Sequence, residues 1–194
     1  GEISFAAINS GAEYWKKGAV DPSGTATTMQ IHLRKGLPYS LEFGGVVTHL
    51  FTSRLWGIGL ELKWALQEGF KYIPDIAVLF NVNTVLGNHE LAMLTIARSV
   101  LISKSFGIAG LFTVTPYAGY NWQYINSSSF VLSTYAPDKN GVSAWRNFVI
   151  PQQSQDAHIA LIGFTLKATL ISLGAEIMLT DGLQVYSTKL GLVF

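Results

Sequence analysis

Hydrophobic and polar residues alternate with a period of two along most of this chain. From Trp56 to Trp64 a bulky apolar residue occupies every even position, and glycine or a charged residue occupies every odd one. A β-strand places alternate residues on opposite faces, whereas a helix would scatter the charges around its circumference. The pattern therefore predicts strands with one apolar face and one polar face.

The same alternation recurs often enough to predict an all-β fold of about ten strands. The predicted strands are 2–9, 25–35, 38–50, 53–66, 75–87, 90–104, 107–124, 155–166, 168–180 and 182–194. Turn residues separate most of them, while an apolar run passes through the break assigned to Lys167–Ala168. No linker divides the chain, so residues 1–194 are predicted to form a single domain.

Strand length and composition together favour a transmembrane antiparallel up-and-down β-barrel. Several predicted strands reach the ~9–11 residues that cross a bilayer. Hydrophobic residues make up 49% of the chain and charged residues 13%, about half the ~25% of soluble domains. No stretch approaches the ~18 apolar residues of a membrane helix. A soluble sandwich or lipocalin also alternates, but its polar face would form the outer surface, and here that face is rich in glycine and poor in charge.

Barrel parity and aromatic placement add detail to this prediction. Aromatic residues typical of interfacial girdles fall near strand ends. They are Tyr39, Trp56, Trp64, Trp122, Tyr124, Tyr186 and Phe194. Bacterial barrels of one chain have an even number of strands, so ten strands put both termini on one side and the long connection 125–154 outside. Eight strands remain an alternative if the first segment forms a plug and one late strand is misassigned.

The last nine residues carry a resemblance to a known class of proteins. Apolar residues alternate from Tyr186 and the chain ends in Phe194, with Thr188 as a polar departure. This segment resembles the terminal strand of bacterial outer-membrane β-barrel proteins. The resemblance implies a bacterial outer-membrane location and recognition by the barrel-assembly machinery, with Tyr186, Leu190, Leu192 and Phe194 as the assembly signal. The opening Gly1-Glu2 is interpreted as a mature chain whose export signal has been removed.

The polar faces of the strands are expected to line the lumen. About eight strands enclose an interior that side chains just fill, so opposite charges inside a slightly larger barrel should pair. The predicted lumen network consists of His32, Arg34, Glu42, Glu61, Lys63, Asn81, Arg98, Glu176 and Lys189. Arg98 is included although its strand alternates poorly. Such a network either fills and stabilises the barrel or lines a narrow polar channel for water or small solutes.

The two faces are expected to respond differently to substitution. Arginine at Leu60, on the apolar face near mid-strand, should be costly. Serine at Gly59, one residue earlier on the polar face, should be much milder than arginine at Leu60.

Composition and motifs argue against several other functions. Lys and Arg total 13 against 12 Asp and Glu, with no basic run, which argues against nucleic-acid binding. No Gly-x-Ser-x-Gly, His-Glu-x-x-His or phosphate-loop motif occurs. We therefore predict no catalytic residue, no metal site and no cofactor, and interpret His89 as a solvated turn residue. An outer-membrane enzyme remains a minor alternative.

The predicted function is that of an integral outer-membrane barrel with a structural or partner-binding role and outward-facing loops. Trp145 and Arg146, in the connection 125–154, form the predicted loop interface, because tryptophan and arginine are enriched in interface hot spots. Anchoring of Trp145 in the outer leaflet is the alternative. The expected partners are outer-membrane lipid and the assembly machinery, with an envelope protein as a further candidate.

Overall fold

The structure is a computed structural model that describes residues 2–8, 25–51, 55–70, 72–87, 91–108, 110–129, 132–137, 143–148, 152–180 and 183–192. Ten long strands dominate it. They are β1 (Glu2–Ile8), β2 (Thr25–Leu37), β3 (Leu41–Leu50), β4 (Trp56–Gln67), β5 (Asp75–Leu86), β6 (Leu91–Ser103), β8 (Phe112–Ser129), β11 (Gln153–Ala168), β12 (Ile171–Thr180) and β13 (Leu183–Leu192). The short strands are β7 (Phe106–Ile108), β9 (Leu132–Pro137) and β10 (Ser143–Phe148).

The ten long strands form a closed ring of antiparallel pairings. Each strand pairs with the next long strand in the sequence, β13 returns to β1, and β8 pairs with β11 over sixteen residue positions. Each long strand thus has a neighbour on both sides, although the short β1 covers β2 only from Thr25 to Gln30 and β13 only from Leu183 to Lys189. The predicted up-and-down barrel of ten strands is therefore confirmed, and the alternative with eight strands is wrong.

The connection predicted at 125–154 is mostly strand. Strand β8 continues to Ser129 and β11 begins at Gln153, with the two paired through Ser127 and Gln153. Between them β9 and β10 form an antiparallel hairpin. The polar sequence Asn126–Ser129 shows no apolar alternation, but pairing with the neighbouring strand satisfies its backbone and extends β8 past the predicted end.

Proline and left-handed residues explain where strands are interrupted. The amide of Lys104 donates to the carbonyl of Pro116 (3.1 Å), but Pro116 has no N–H to return, and the ladder against β8 breaks there into β6 and β7. Tyr39 and Ser40 adopt φ of 66° and 58°, so β3 begins at Leu41 rather than at the predicted residue 38. The turn between β11 and β12 contains Thr169, with φ of 49°, just beyond the predicted break.

The distribution of side chains is the reverse of that in a soluble protein. Among the described residues the buried hydrophobic side chains are Val46 and Ala97, whereas large apolar side chains such as Leu60 are exposed. The buried polar residues are Glu61, Thr95, Ser99, Glu176 and Ser187. The barrel thus has an apolar outer face and a polar lumen, as the alternation predicts. Within the described part of the chain, no helix is long and apolar enough to span a membrane.

Candidate functional site

The first lumen cluster joins five charged or titratable side chains on strands β2, β3 and β4. Arg34 Nε donates to Glu61 Oε2 (2.9 Å), and it also lies 3.8 Å from Glu42 Oε1. His32 Nδ1 lies 3.1 Å from Glu61 Oε1, so the imidazole is the donor if the carboxylate is ionised. Lys63 Nζ lies 3.5 Å from Glu42 Oε2. Two carboxylates therefore share three nitrogen-bearing side chains.

A glycine lets Arg34 reach across a strand in this cluster. Arg34 on β2 is the register partner of Gly44 on β3, and Gly44 is the partner of Glu61 on β4. A Cβ built on Gly44 would lie 2.8 Å from Arg34 Cγ, because the arginine stem lies directly over this glycine. The ion pair of Arg34 and Glu61 thus spans β3 and requires the missing side chain at Gly44.

The second lumen cluster uses the same arrangement on β8, β11, β12 and β13. Tyr117 on β8 is the partner of Gly163 on β11, which is the partner of Glu176 on β12. The tyrosine ring crosses Gly163, where a Cβ would lie 2.7 Å from Cζ, and its Oη donates to Glu176 Oε2 (2.7 Å). Lys189 Nζ donates to the same oxygen (2.9 Å) and lies 5.9 Å from the Tyr117 ring centre.

The two buried carboxylates and the cations occupy different depths in the lumen. The Glu61 and Glu176 side chains are each only 7% exposed and accept from two partners. The cationic side chains retain much more exposure, at 42% for Arg34, 38% for Lys63 and 35% for Lys189. Glu61 and Glu176 therefore sit against the barrel wall, whereas the three cations and Glu42, at 30% exposure, extend further into the lumen.

Most of the predicted lumen network is brought together, with one correction. Seven of the nine residues lie in the two clusters. Asn81 faces the lumen as the partner of Glu61 but lies outside both clusters. The assignment of Arg98 is wrong: its neighbours Ala97 and Ser99 are buried on the lumen side, so Arg98 is exposed on the outer face. The small residues Ala97 and Ser99, which alternate with Arg98, were the sequence signal that could have assigned Arg98 to the outer face.

Sequence reasoning missed the role of the polar-face glycines. Gly44 and Gly163 stand opposite a long polar side chain on one strand and a glutamate on the next. Gly59 has a related position, because a Cβ there would overlap the side chain of Asn83 on β5. A serine at Gly59 would require the Asn83 side chain to move, and its effect relative to Leu60→Arg stays a prediction. Glycines flanked by polar register partners were the available signal, but they become visible only when the strands are paired.

The other predicted site residues have separate positions. Tyr186, Leu190 and Leu192 are exposed on the outer face of β13, and Phe194 lies outside the described residues. Their recognition by the assembly machinery stays a prediction. The side chains of Trp145 and Arg146, on β10, also lie outside the described part, as does His89. Among the described residues no group of three or more His, Asp or Glu side chains is arranged to hold a metal ion.

No protein-family model and no curated protein matches the chain. Among solved structures it is similar to a KdgM porin, with a TM-score of 0.42, 8% sequence identity and coverage of 100% of this chain and 98% of that one. It is also similar to Ail, the attachment invasion locus protein of Yersinia pestis, with a TM-score of 0.36, 13% identity and coverage of 98% and 95%. Both similarities extend over nearly the whole length of each chain.

Proposed function

We propose that this chain is an integral β-barrel of the bacterial outer membrane. The observation that carries the proposal is the reversed polarity of the wall, seen most sharply on β4. Leu60 is 59% exposed on the outer face, and the next residue, Glu61, is 6% exposed on the lumen side. A strand that exposes its leucines and buries its carboxylates is stable only where hydrocarbon surrounds the outer face.

The spacing of the outer aromatic residues matches the thickness of a membrane. Trp56 and Trp64 lie on the outer face near the two ends of β4. Eight residues extend about 26 Å along a strand, or roughly 20 Å in height at a tilt near 40°. The apolar band of outer-membrane barrels is about 25 Å tall and has aromatic girdles at both edges. The two tryptophans are therefore spaced to sit at opposite interfaces.

Leu60→Arg tests the outward orientation of the apolar face. We expect this variant to lose about 2–4 kcal/mol of folding free energy in lipid vesicles, because its charge would lie near the bilayer midplane. The matched control is Gln30→Arg, which puts the same side chain at a half-buried lumen position. The urea dependence of folding into vesicles measures both. Equal losses in the two variants, or a wild-type chain that stays folded and dispersed without detergent or lipid, would contradict the proposal.

Within this location, we assign the barrel a structural role with surfaces available to partners. The two lumen clusters support this role because each joins strands that are not neighbours: Arg34 links β2 to β4, and Tyr117 links β8 to β12. Such cross-links hold the ring at a fixed curvature. We expect the electrophoretic mobility of the protein on SDS gels to change only after boiling, because ring closure makes unfolding cooperative. Identical mobility of boiled and unboiled protein would contradict a stable closed barrel.

A partner-binding role rests on the hairpin β9–β10. Its strands pair with each other, and within the described residues neither pairs with the ring. Replacing residues 132–148 with a short Gly-Ser linker should leave the heat-dependent gel shift intact. The shortened chain should no longer cross-link to the envelope proteins that cross-link to the intact barrel. Retention of the same cross-linked proteins by the shortened chain would exclude the hairpin as the binding element.

A narrow polar channel is the second candidate, and the accessibility of the lumen cations favours it. Arg34, Lys63 and Lys189 all keep about a third or more of their side chains exposed inside the ring. Planar-bilayer recording separates the two roles. Conductance steps whose ion selectivity changes in Lys63→Gln, but not in the outer-face control Lys35→Gln, would establish a channel. A silent bilayer containing correctly folded protein would establish the filled lumen.

A further inference from the structure

Arg98 lies in an unusual position on the outer wall. It occupies the middle of β6, and its register partners Phe80 and Trp122 are both exposed on the outer face. On the described long strands, Lys35 is the only other outward lysine or arginine, and it lies two residues from the end of β2. Arg98 is thus a cation set within the apolar belt.

Within the described part of the chain, no side chain supplies a counter-charge to this cation. Arg98 makes no hydrogen bond or ion pair with another described residue. A guanidinium is always charged and has five donors, so an apolar surrounding that leaves them unused is costly. Long basic side chains in this situation extend toward the nearest polar interface. A ligand from the surroundings would satisfy these donors.

The side chain of Arg98 can extend from this position toward one membrane interface. Arg98 lies near the middle of β6, and its register partner Trp122 lies on β8, the strand that continues to Ser129 on the side of the β9–β10 hairpin. A long arginine side chain within the apolar belt extends toward such an interface.

Polar and aromatic groups surround Trp122 on the neighbouring strand. The His158 ring lies 5.5 Å from the Trp122 ring, and its Nδ1 is 2.7 Å from Tyr120 Oη. His158 is the register partner of Trp122, so Arg98, Trp122 and His158 form one row across β6, β8 and β11. This row, the outer-face row, combines a fixed positive charge with N–H donors and an aromatic platform.

A mostly apolar depression of about 780 Å³ lies in the wall between β6 and β13, and its lining also includes Tyr117, Gly163 and Glu176 of the second lumen cluster. Its lining includes the outward side chains of Ile102, Ala118, Ile162, Phe164, Ala175 and Tyr186. The small alanines on β8 and β12 lie between larger residues and leave a depression in the wall. Ile102 follows Arg98 by four residues on the same strand, about 13 Å toward the opposite membrane surface.

We propose that Arg98 and its row bind the phosphate of an anionic lipid headgroup, and that an acyl chain of the same lipid occupies the cavity. This inference rests on the proposed membrane location. Charge complementarity favours a phosphate, since the guanidinium can donate two parallel hydrogen bonds to it. The cavity favours a lipid as the source of that phosphate, because a free ion would leave the apolar depression unfilled.

Native mass spectrometry of the full chain in nanodiscs tests the headgroup site. The probe is a bilayer of equal parts phosphatidylglycerol and phosphatidylcholine. We expect the wild type to retain phosphatidylglycerol preferentially and Arg98→Gln to reduce that preference about fivefold, the effect of one interfacial charge. The control Lys167→Gln removes the same charge at an exposed residue on the lumen-facing parity near the end of β11, and should keep the preference.

Ala118→Phe tests the cavity separately. The larger side chain should fill the depression and lower the retention of both lipids, whereas Ala160→Phe, at an exposed position outside the cavity lining, should not. Arg98→Lys keeps the charge but loses the paired donors, and should retain part of the preference. Each variant is first checked for the heat-dependent gel shift that reports a closed barrel.

Three results would overturn the inference. Unchanged lipid preference in Arg98→Gln would remove the headgroup site. Loss of bound lipid on adding inorganic phosphate would identify a free anion as the ligand, and a dimer lost only in Arg98→Gln would identify a second copy of the chain. In all three the barrel still shows its gel shift in lipid, whereas failure of the proposed membrane location would abolish that shift.

Discussion

The two lumen clusters solve the same problem with different chemistry. In the first, Arg34 crosses Gly44 to reach Glu61 and the contact joins two charges. In the second, a neutral phenol, Tyr117, crosses a glycine to reach the carboxylate. The first cluster should therefore depend more strongly on charge and salt, whereas the second combines one ion pair, Lys189 with Glu176, and the hydrogen bond from Tyr117. Both clusters therefore require a glycine, Gly44 or Gly163, beneath the side chain that crosses the intervening strand.

Removing the central carboxylate should have the largest effect. Glu61→Ala is expected to destabilise the barrel by about 3 kcal/mol, because it leaves Arg34 and His32 without their shared acceptor in a confined space. Glu176→Ala should cost about half as much, since one of its two donors is a neutral phenol. Urea unfolding in lipid vesicles measures both. Equal losses would show that the two clusters contribute alike.

Filling the crossing point should have the next largest effect. Gly44→Ala is expected to cost about 2 kcal/mol, because the new methyl group would press on the Arg34 stem and on the Leu33 carbonyl oxygen, both 2.8 Å away. The control is Gly45→Ala, one residue on and facing outward, where the nearest atom is 3.7 Å away. A loss at Gly45 as large as that at Gly44 would show that strand flexibility, not the crossing, requires the glycine.

Tyr117→Phe removes the bond across β11 while keeping the ring over Gly163. We expect a loss of about 1 kcal/mol, because the hydroxyl donates to an ionised acceptor but water in the lumen can replace it. Tyr124→Phe is the matched control on the outer face, where an exposed bond to Ser154 is lost. The difference in free energy of unfolding between the two variants gives the contribution of the lumen location.

The half-exposed ion pair of Lys63 and Glu42 should contribute less than the buried carboxylates. Lys63→Gln is expected to cost less than about 1 kcal/mol, and the loss should shrink further as salt rises, because the 3.5 Å pair with Glu42 is half-exposed. Unfolding of this variant and of Glu61→Ala at low and high ionic strength sharpens the contrast. A larger effect for Lys63 than for Glu61 would reverse the proposed order within the first cluster.

Much of the fold was predictable because alternation reports the environment of each face directly. The β4 pattern assigns Leu60 to the outside and Glu61 to the lumen, and the structure places both there. The sites were less predictable where the pattern is weak or where polar sequence forms strand. Arg98 lies between small buried residues on β6, and a rule that places charges inside assigns it to the wrong face.

The sequence by itself determined the strands, their two faces and the mixed charge of the lumen, because a period of two is a local property of the backbone. Only the tertiary structure decided which residues meet. Strand register sets Gly44 between Arg34 and Glu61, and Gly163 between Tyr117 and Glu176, and register depends on pairing between strands that can be far apart in the chain. The physical reason is that a side chain reaches across a strand only where the intervening position is empty, and no single strand contains that information.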